Sequence, residues 1–164
     1  MEILRIAAFS YNNAGGNPAG VVICNEMPAE TEMLAIAKQV GYSETAFLTQ
    51  VNDGWRVRYF APEMEVPFCG HATIASGAVL GEKFGESIYK LFINQGEITV
   101  SVAKSDTGTF SATLQSPATW SEIAPNDYVE KLLTEFNLAA ADIDTNYPVR
   151  FAFAGAKHLI IVLK

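Results

Sequence analysis

The sequence is poor in several kinds of residue, and each shortage excludes something. Only two of its 164 residues are cysteine, Cys24 and Cys69, too few for a disulfide framework. The opening stretch MEILRIAAFS has an early acid and no long apolar region, so it does not read as a secretory signal. Both thiols are therefore expected to be reduced, and the protein cytoplasmic. Basic residues number 11 against 18 acids, a net charge of −7, and they form no run. Nucleic acid and anionic membrane both need concentrated Lys and Arg, so neither is expected as a partner. No uncharged apolar stretch approaches the roughly 18 residues that suggest a membrane-spanning helix.

What is present is an ordinary globular composition, 49% apolar and 18% charged, with no low-hydrophobicity tract. The length suits one domain over residues 1–164, burying about 70% of the surface its unfolded chain exposes. Short strands are expected at 4–10 and 20–24, on either side of the loop YNNAGGNPAG. Residues 29–41 have helical spacing, with apolar Met33, Leu34, Ile36, Ala37 and Val40 and a closing Gly41. TAFLTQV (45–51) and WRVRYFAP (55–62) flank Asn52-Asp53-Gly54, a hairpin signal. Strands at 88–95, 97–104 and 109–115 read as a meander, with Asp106-Thr107-Gly108 as its second turn. A surface helix at 125–137 and strands at 148–155 and 157–164 complete the chain.

The helix of residues 71–85 is the most informative element. From Ala72 to Gly81 it carries no charge on any face, and Ala, Ser and Gly dominate. A helix that is apolar all round is buried all round, and small residues let other backbone come close. The fold class that follows is α+β: a strongly bent, mostly antiparallel sheet wrapped around this central helix.

Just before it stands PFCGHAT (67–73), where Cys69, Gly70 and His71 sit side by side. This spacing does not match the Cys-x2–4-Cys or His-x3–5-His pairs of zinc sites, and the other histidine, His158, lies in a distant strand pattern. No metal site is expected from it. A buried helix start at Gly70 or His71 needs partners for its free N–H groups, and a substrate carboxylate would serve. A local cap or water would serve equally, and His71 would then be a hydrogen-bonded core residue; on the residues alone this plainer alternative comes first. Glu44, in GYSETAF (41–47), follows a helix-ending glycine and precedes an apolar strand, the partly buried setting a general base needs. Alone, a glutamate at a strand start is more often a solvated edge residue. The glycines of the 14–20 loop lack both the Gly-Lys-Ser/Thr ending of a P-loop and the GxGxxG spacing of a dinucleotide turn.

Four pieces occur in order: AGGNPAGVV (14–22), GYSETAF (41–47), WRVRYFAPEMEVPFCGHAT (55–73) and the small-residue helix. Together they resemble the first half of the PhzF-like isomerases of phenazine biosynthesis, relatives of diaminopimelate epimerase. The resemblance implies a fold of two similar halves, each a bent sheet around a central helix, with the active site between them. It implies that Glu44 matches the family's proton-shuttling acid/base and His71 a supporting catalytic residue. Asn17 and the backbone of Gly70 and His71 would line the pocket of a small carboxylate substrate, and the chemistry would need no cofactor.

Two departures follow. Cys69 falls where epimerase and racemase relatives carry one of their catalytic thiols, at a helix N-terminus where the dipole favours thiolate. A Cys-based racemase is thus the alternative, ranked second because Glu44 is present and His71 follows Gly70. Family members are also nearly twice as long, and nothing here matches their second half. The chain is then either a fragment or a half that pairs with another copy, as a homodimer or as a non-catalytic half-fold that self-associates or binds a partner.

Overall fold

The computed structural model describes residues 1–11, 14–106 and 108–164. Asn12 and Asn13 of the expected loop, and Thr107 of the expected turn, lie outside the described residues. The chain divides into two compact units, Met1–Pro117 and Ala118–Lys164.

The first unit is built on side-chain alternation. Its strands are β1 (Leu4–Ala8), β2 (Asn17–Cys24), β3 (Thr45–Val51), β4 (Gly54–Phe60), β5 (Glu65–Val66), β6 (Ser87–Ile93), β7 (Gly96–Lys104) and β8 (Phe110–Gln115). They form one sheet in the order β1-β2-β3-β4-β6-β7-β8, with β5 paired to β4. Pairing is antiparallel except for β2 with β3 and β4 with β6. Ala19 and Val21 of β2, Ala46 and Leu48 of β3, and Trp55, Val57 and Tyr59 of β4 share one core cluster. The residues between them point the other way: Val22, Cys24, Phe47 and Phe60 pack with Met33 and Ala37 of α1 (Glu30–Val40). The period of two thus sorts one sheet between two helices.

The helix on the inner face is α2 (Gly70–Phe84). It packs against β1, β2, β3, β7 and β8. Since β1 and β8 are the two ends of the strand order, the sheet must curl for both to meet one helix. The small residues make this possible. A Cβ built on Gly81 would lie 2.5 Å from Val102 Cγ1 and 2.8 Å from Phe110, and one on Gly77 would lie 2.8 Å from Val100 and Ala112. The buried hydroxyls of α2 are satisfied: Ser76 Oγ donates to the Ala72 carbonyl, and Thr73 Oγ1 donates to that of Cys69, both at 2.7 Å.

Several boundaries differ from the expectation, each for a local reason. β1 stops at Ala8 because Phe9 turns to φ 60°, a conformation few bulky residues adopt. β2 begins at Asn17 rather than 20, so the NPA segment belongs to the sheet. Pro18 is tolerated there because it pairs with Ala7 of β1 alone; β3 joins only from Gly20. Gly16 just before it has φ 85°, and a Cβ there would sit 2.5 Å from the Ala8 carbonyl oxygen, so this position requires glycine.

The second unit is a three-stranded antiparallel sheet, β9 (Trp120–Ile123), β10 (Arg150–Phe153) and β11 (Lys157–Ile160), in the order β11-β10-β9. α3 (Asn126–Glu135) contributes Val129 and Leu133 to a small core with Ala124 and Phe151. Here β9 was not expected: all four of its residues are exposed, so it leaves no buried alternation to read. The last strand ends at Ile160 instead of running to 164; Leu163 forms an isolated bridge to Ile143. Among the described residues, no helix is long and apolar enough to cross a membrane.

The close approach of α2 to β7 and β8 generates a stability test. Gly81→Val should cost about 1–3 kcal/mol through overpacking. It would appear as a lower urea midpoint at unchanged slope, while the exposed Glu82→Gln should stay within about 0.5 kcal/mol of the parent.

Candidate active site

Two segments far apart in the chain meet at the start of α2. The first is the turn between α1 and β3. α1 ends at Gly41, which adopts the left-handed conformation and bonds back to the Ala37 carbonyl. The chain then passes Tyr42 and Ser43 to Glu44, whose carbonyl accepts a hydrogen bond from Gly20 N at 3.1 Å. That bond fastens Glu44 to β2 just where β2 and β3 begin their parallel pairing, Gly20 opposite Thr45.

The second segment is the N-terminus of α2. Cys69 is the capping residue, in extended backbone, and makes no side-chain cap. Its carbonyl accepts both Thr73 N at 3.0 Å and Thr73 Oγ1 at 2.7 Å. Thr73 Oγ1 in turn meets the Tyr59 hydroxyl at 2.7 Å, so β4 holds the first turn of the helix in place. Burial pushes the Tyr59 phenol well above its ordinary range, which keeps it a neutral partner there.

His71 joins the two segments. Its Nδ1 lies 3.3 Å from Cys69 Sγ, and its Nε2 lies 3.4 Å from Glu44 Oε2 and 3.5 Å from Ser43 Oγ. The Glu44 and His71 side chains are partly buried, 22% and 12% exposed. His71 also lines a concavity of about 470 Å3, with Phe9, Gly70, Ile74, Ala112, Thr113 and Leu114. Over Gly70 the space is open: a Cβ built there would meet only a Leu114 methyl, at 4.0 Å.

Cys69 departs from the expectation for its position. The dipole at a helix start was expected to favour thiolate, but burial pushes the thiol up to about 12, and the neighbouring Glu44 carboxylate adds to the rise. Backbone N–H groups of Ala72 and His71 oppose this without overcoming it. Desolvation wins because the residue is only 7% exposed.

Of the residues singled out in the sequence, Glu44, Cys69, Gly70 and His71 are therefore brought to one place. Asn17 is not among the groups that meet at His71. It is the first residue of β2, exposed and paired with Ala8, three positions before the Gly20 that bonds Glu44. Ser43 was passed over, although it stands directly before Glu44. So were Tyr59 and Thr73, which only the packing of β4 on α2 connects.

An α+β fold with a helix inside a curled sheet, opening at that helix's N-terminus, is the fold of PhzF-family structures. The chain belongs to the PhzC-PhzF family of phenazine biosynthesis-like proteins, whose model it matches over residues 6–164. It is 32% identical over 167 residues to YfhB of Bacillus subtilis, described as an uncharacterized isomerase; the match covers 99% of this chain and 56% of that protein. A crystal structure of a phenazine biosynthesis protein of the PhzF family from Bacillus anthracis superposes with TM-score 0.72 at 26% identity, over 99% of this chain and 55% of that one. A Pseudomonas aeruginosa protein described as a predicted epimerase shares the fold, with TM-score 0.83 at 21% identity, over 98% of this chain and 58% of that one. The chain thus spans about half the length of the curated relatives it matches.

The state of Cys69 can be measured. In a Cys24→Ser background, iodoacetamide should modify Cys69 at pH 7.5 more than about a hundredfold slower than a free thiol of pKa about 8.5. Because the thiol is protonated throughout this range, its rate should climb about tenfold per pH unit from 7 to 9. A rate already at its plateau near neutral pH would show a thiolate instead.

Proposed function

We propose that this chain carries the acid/base half of a PhzF-like isomerase, with Glu44 as the proton-transferring group. The observation that carries the reading is the meeting of Glu44 with His71 at an open helix N-terminus. A small substrate carboxylate would bind at the backbone of Gly70 and His71, where the helix dipole favours an anion. Glu44 would take a proton from a carbon beside an activating group and return it at another position, with no cofactor needed. Asn17 would contribute to substrate binding from the start of β2.

The state of Cys69 supports this assignment. A protonated thiol can donate to His71 Nδ1, which leaves Nε2–H to donate to Glu44. His71, which lines the concavity, then orients the carboxylate, and Glu44 remains an acceptor beside it. A thiol held near 12 makes a poor base at neutral pH, so the Cys-based racemase ranks second.

In this proposal residues 1–164 correspond to the N-terminal half of a two-domain pseudo-symmetric fold. Phe9 and Tyr11, 71% and 80% exposed, are the kind of apolar surface such a half would cover, and a homodimer would cover it. A cytoplasmic location follows from the same reading.

The test is exchange of substrate carbon-bound hydrogen in D2O, on a panel of small amino- and hydroxy-carboxylates, with the molecular mass measured in parallel. Glu44→Gln should lower exchange by at least about a hundredfold, and Cys69→Ser should leave most of it. Exchange that survives Glu44→Gln but is lost in Cys69→Ser would move the role to the thiol. An oligomer that exchanges nothing on any member of the panel would point to a non-catalytic half-fold.

A further inference from the structure

We infer that Glu44, Cys69 and His71 together bind a thiophilic divalent cation such as Zn2+ or Co2+. One ligating atom from each of the three, a carboxylate oxygen, the thiol sulfur and a ring nitrogen, lies within 4.8 Å of the other two. Zinc bonds of about 2.0–2.3 Å in tetrahedral geometry put neighbouring ligand atoms roughly 3.3–3.8 Å apart. The 3.3 Å between Cys69 Sγ and His71 Nδ1 is already in that range, and Glu44 Oε2 lies 3.4 Å from the ring's other nitrogen, Nε2. Bringing all three atoms around one ion takes side-chain movements of about 1 Å, with the ring offering one nitrogen.

The donor set selects the metal. Sulfur and imidazole favour zinc and cobalt, whereas magnesium and calcium favour all-oxygen shells. Three protein ligands leave a fourth position for water, and His71 borders the concavity from which that water would come. Charge also balances. The thiol proton passes to solvent when sulfur coordinates, and the resulting thiolate and the Glu44 carboxylate together neutralise a 2+ ion. Ser43 Oγ, 3.5 Å from His71 Nε2, is placed to support the ring from outside the coordination shell.

Sequence spacing gave no sign of such a site, because two of its ligands come from PFCGHAT and the third from GYSETAF. The bond from Gly20 to the Glu44 carbonyl, and the anchoring of α2 through Thr73, help bring them together. One consequence rests on the proposed function: a cation here would occupy the carboxylate that transfers the proton, and would inhibit. The binding itself does not depend on that reading.

The test uses the full chain, reduced, in a non-chelating buffer, titrated with Co2+. Binding should give a thiolate-to-cobalt charge-transfer band and the visible bands of tetrahedral cobalt, saturating at one equivalent and abolished by Zn2+. Cys24→Ser should keep these bands, Cys69→Ser should lose the charge-transfer band, and Glu44→Gln should weaken binding at least about tenfold. Circular dichroism identifies any variant that fails to fold. If Cys69→Ser is one, the Glu44→Gln affinity decides, and an unchanged value overturns the site. A wild-type chain with no charge-transfer band overturns it too, as does a band that survives Cys69→Ser or vanishes with Cys24→Ser. The optical readout needs no activity, so a chain that binds cobalt without exchanging protons keeps this inference and loses the function proposed above. Exchange unaffected by saturating Zn2+ would remove the inhibitory consequence.

Discussion

The first unit depends on how closely a sheet can approach α2. Gly77 and Gly81 leave no room for a single added carbon against Val100, Val102, Phe110 and Ala112. With larger residues there, β7 and β8 would stand off and the sheet could not bring both of its ends onto one helix. The curl fixes the course of the helix, and with it the position of its N-terminus. Tyr59 and Thr73 then hold the first turn to β4 by hydrogen bonds buried from water. Everything at the candidate site is referred to that fixed helix start.

The electrostatics of the site turn on a contest between two effects of the same location. A helix N-terminus offers N–H groups and a positive dipole end, which favour an anion and would lower a thiol pKa. Placing that terminus inside a curled sheet also strips water from whatever caps it. For Cys69 the loss of water is the larger effect, and the thiol rises to about 12. His71 lies between this neutral thiol and the more exposed Glu44, with Nδ1 3.3 Å from Cys69 Sγ and Nε2 3.4 Å from Glu44 Oε2. The location thus makes Cys69 and Glu44 chemically unequal although both touch the same histidine.

Much of this was legible in the chain. The uncharged run from Ala72 to Gly81 foretold a buried helix, and the structure places α2 at Gly70–Phe84. The alternation of Trp55, Val57 and Tyr59 with Arg56 and Arg58 foretold β4, and GYSETAF marked the end of α1 and the start of β3. What escaped was whatever carries no periodic burial. β9 is exposed at all four residues, and β5 is two residues long. The start of β2 was hidden by Pro18, whose usual meaning is a loop but which here takes an edge position free on one side.

Local patterns of apolar, small and charged residues determined by themselves most of the strands and helices and which of their faces are buried. These follow from the sequence because they depend on neighbours a few residues away. Only the tertiary structure decided that Glu44 meets Cys69 and His71, and that the thiol stays protonated. The first depends on the parallel register of β2 with β3 and the anchoring of α2. The second depends on how much water the surrounding strands exclude. Both are set by segments far apart in the chain, and no spacing within PFCGHAT or GYSETAF encodes them.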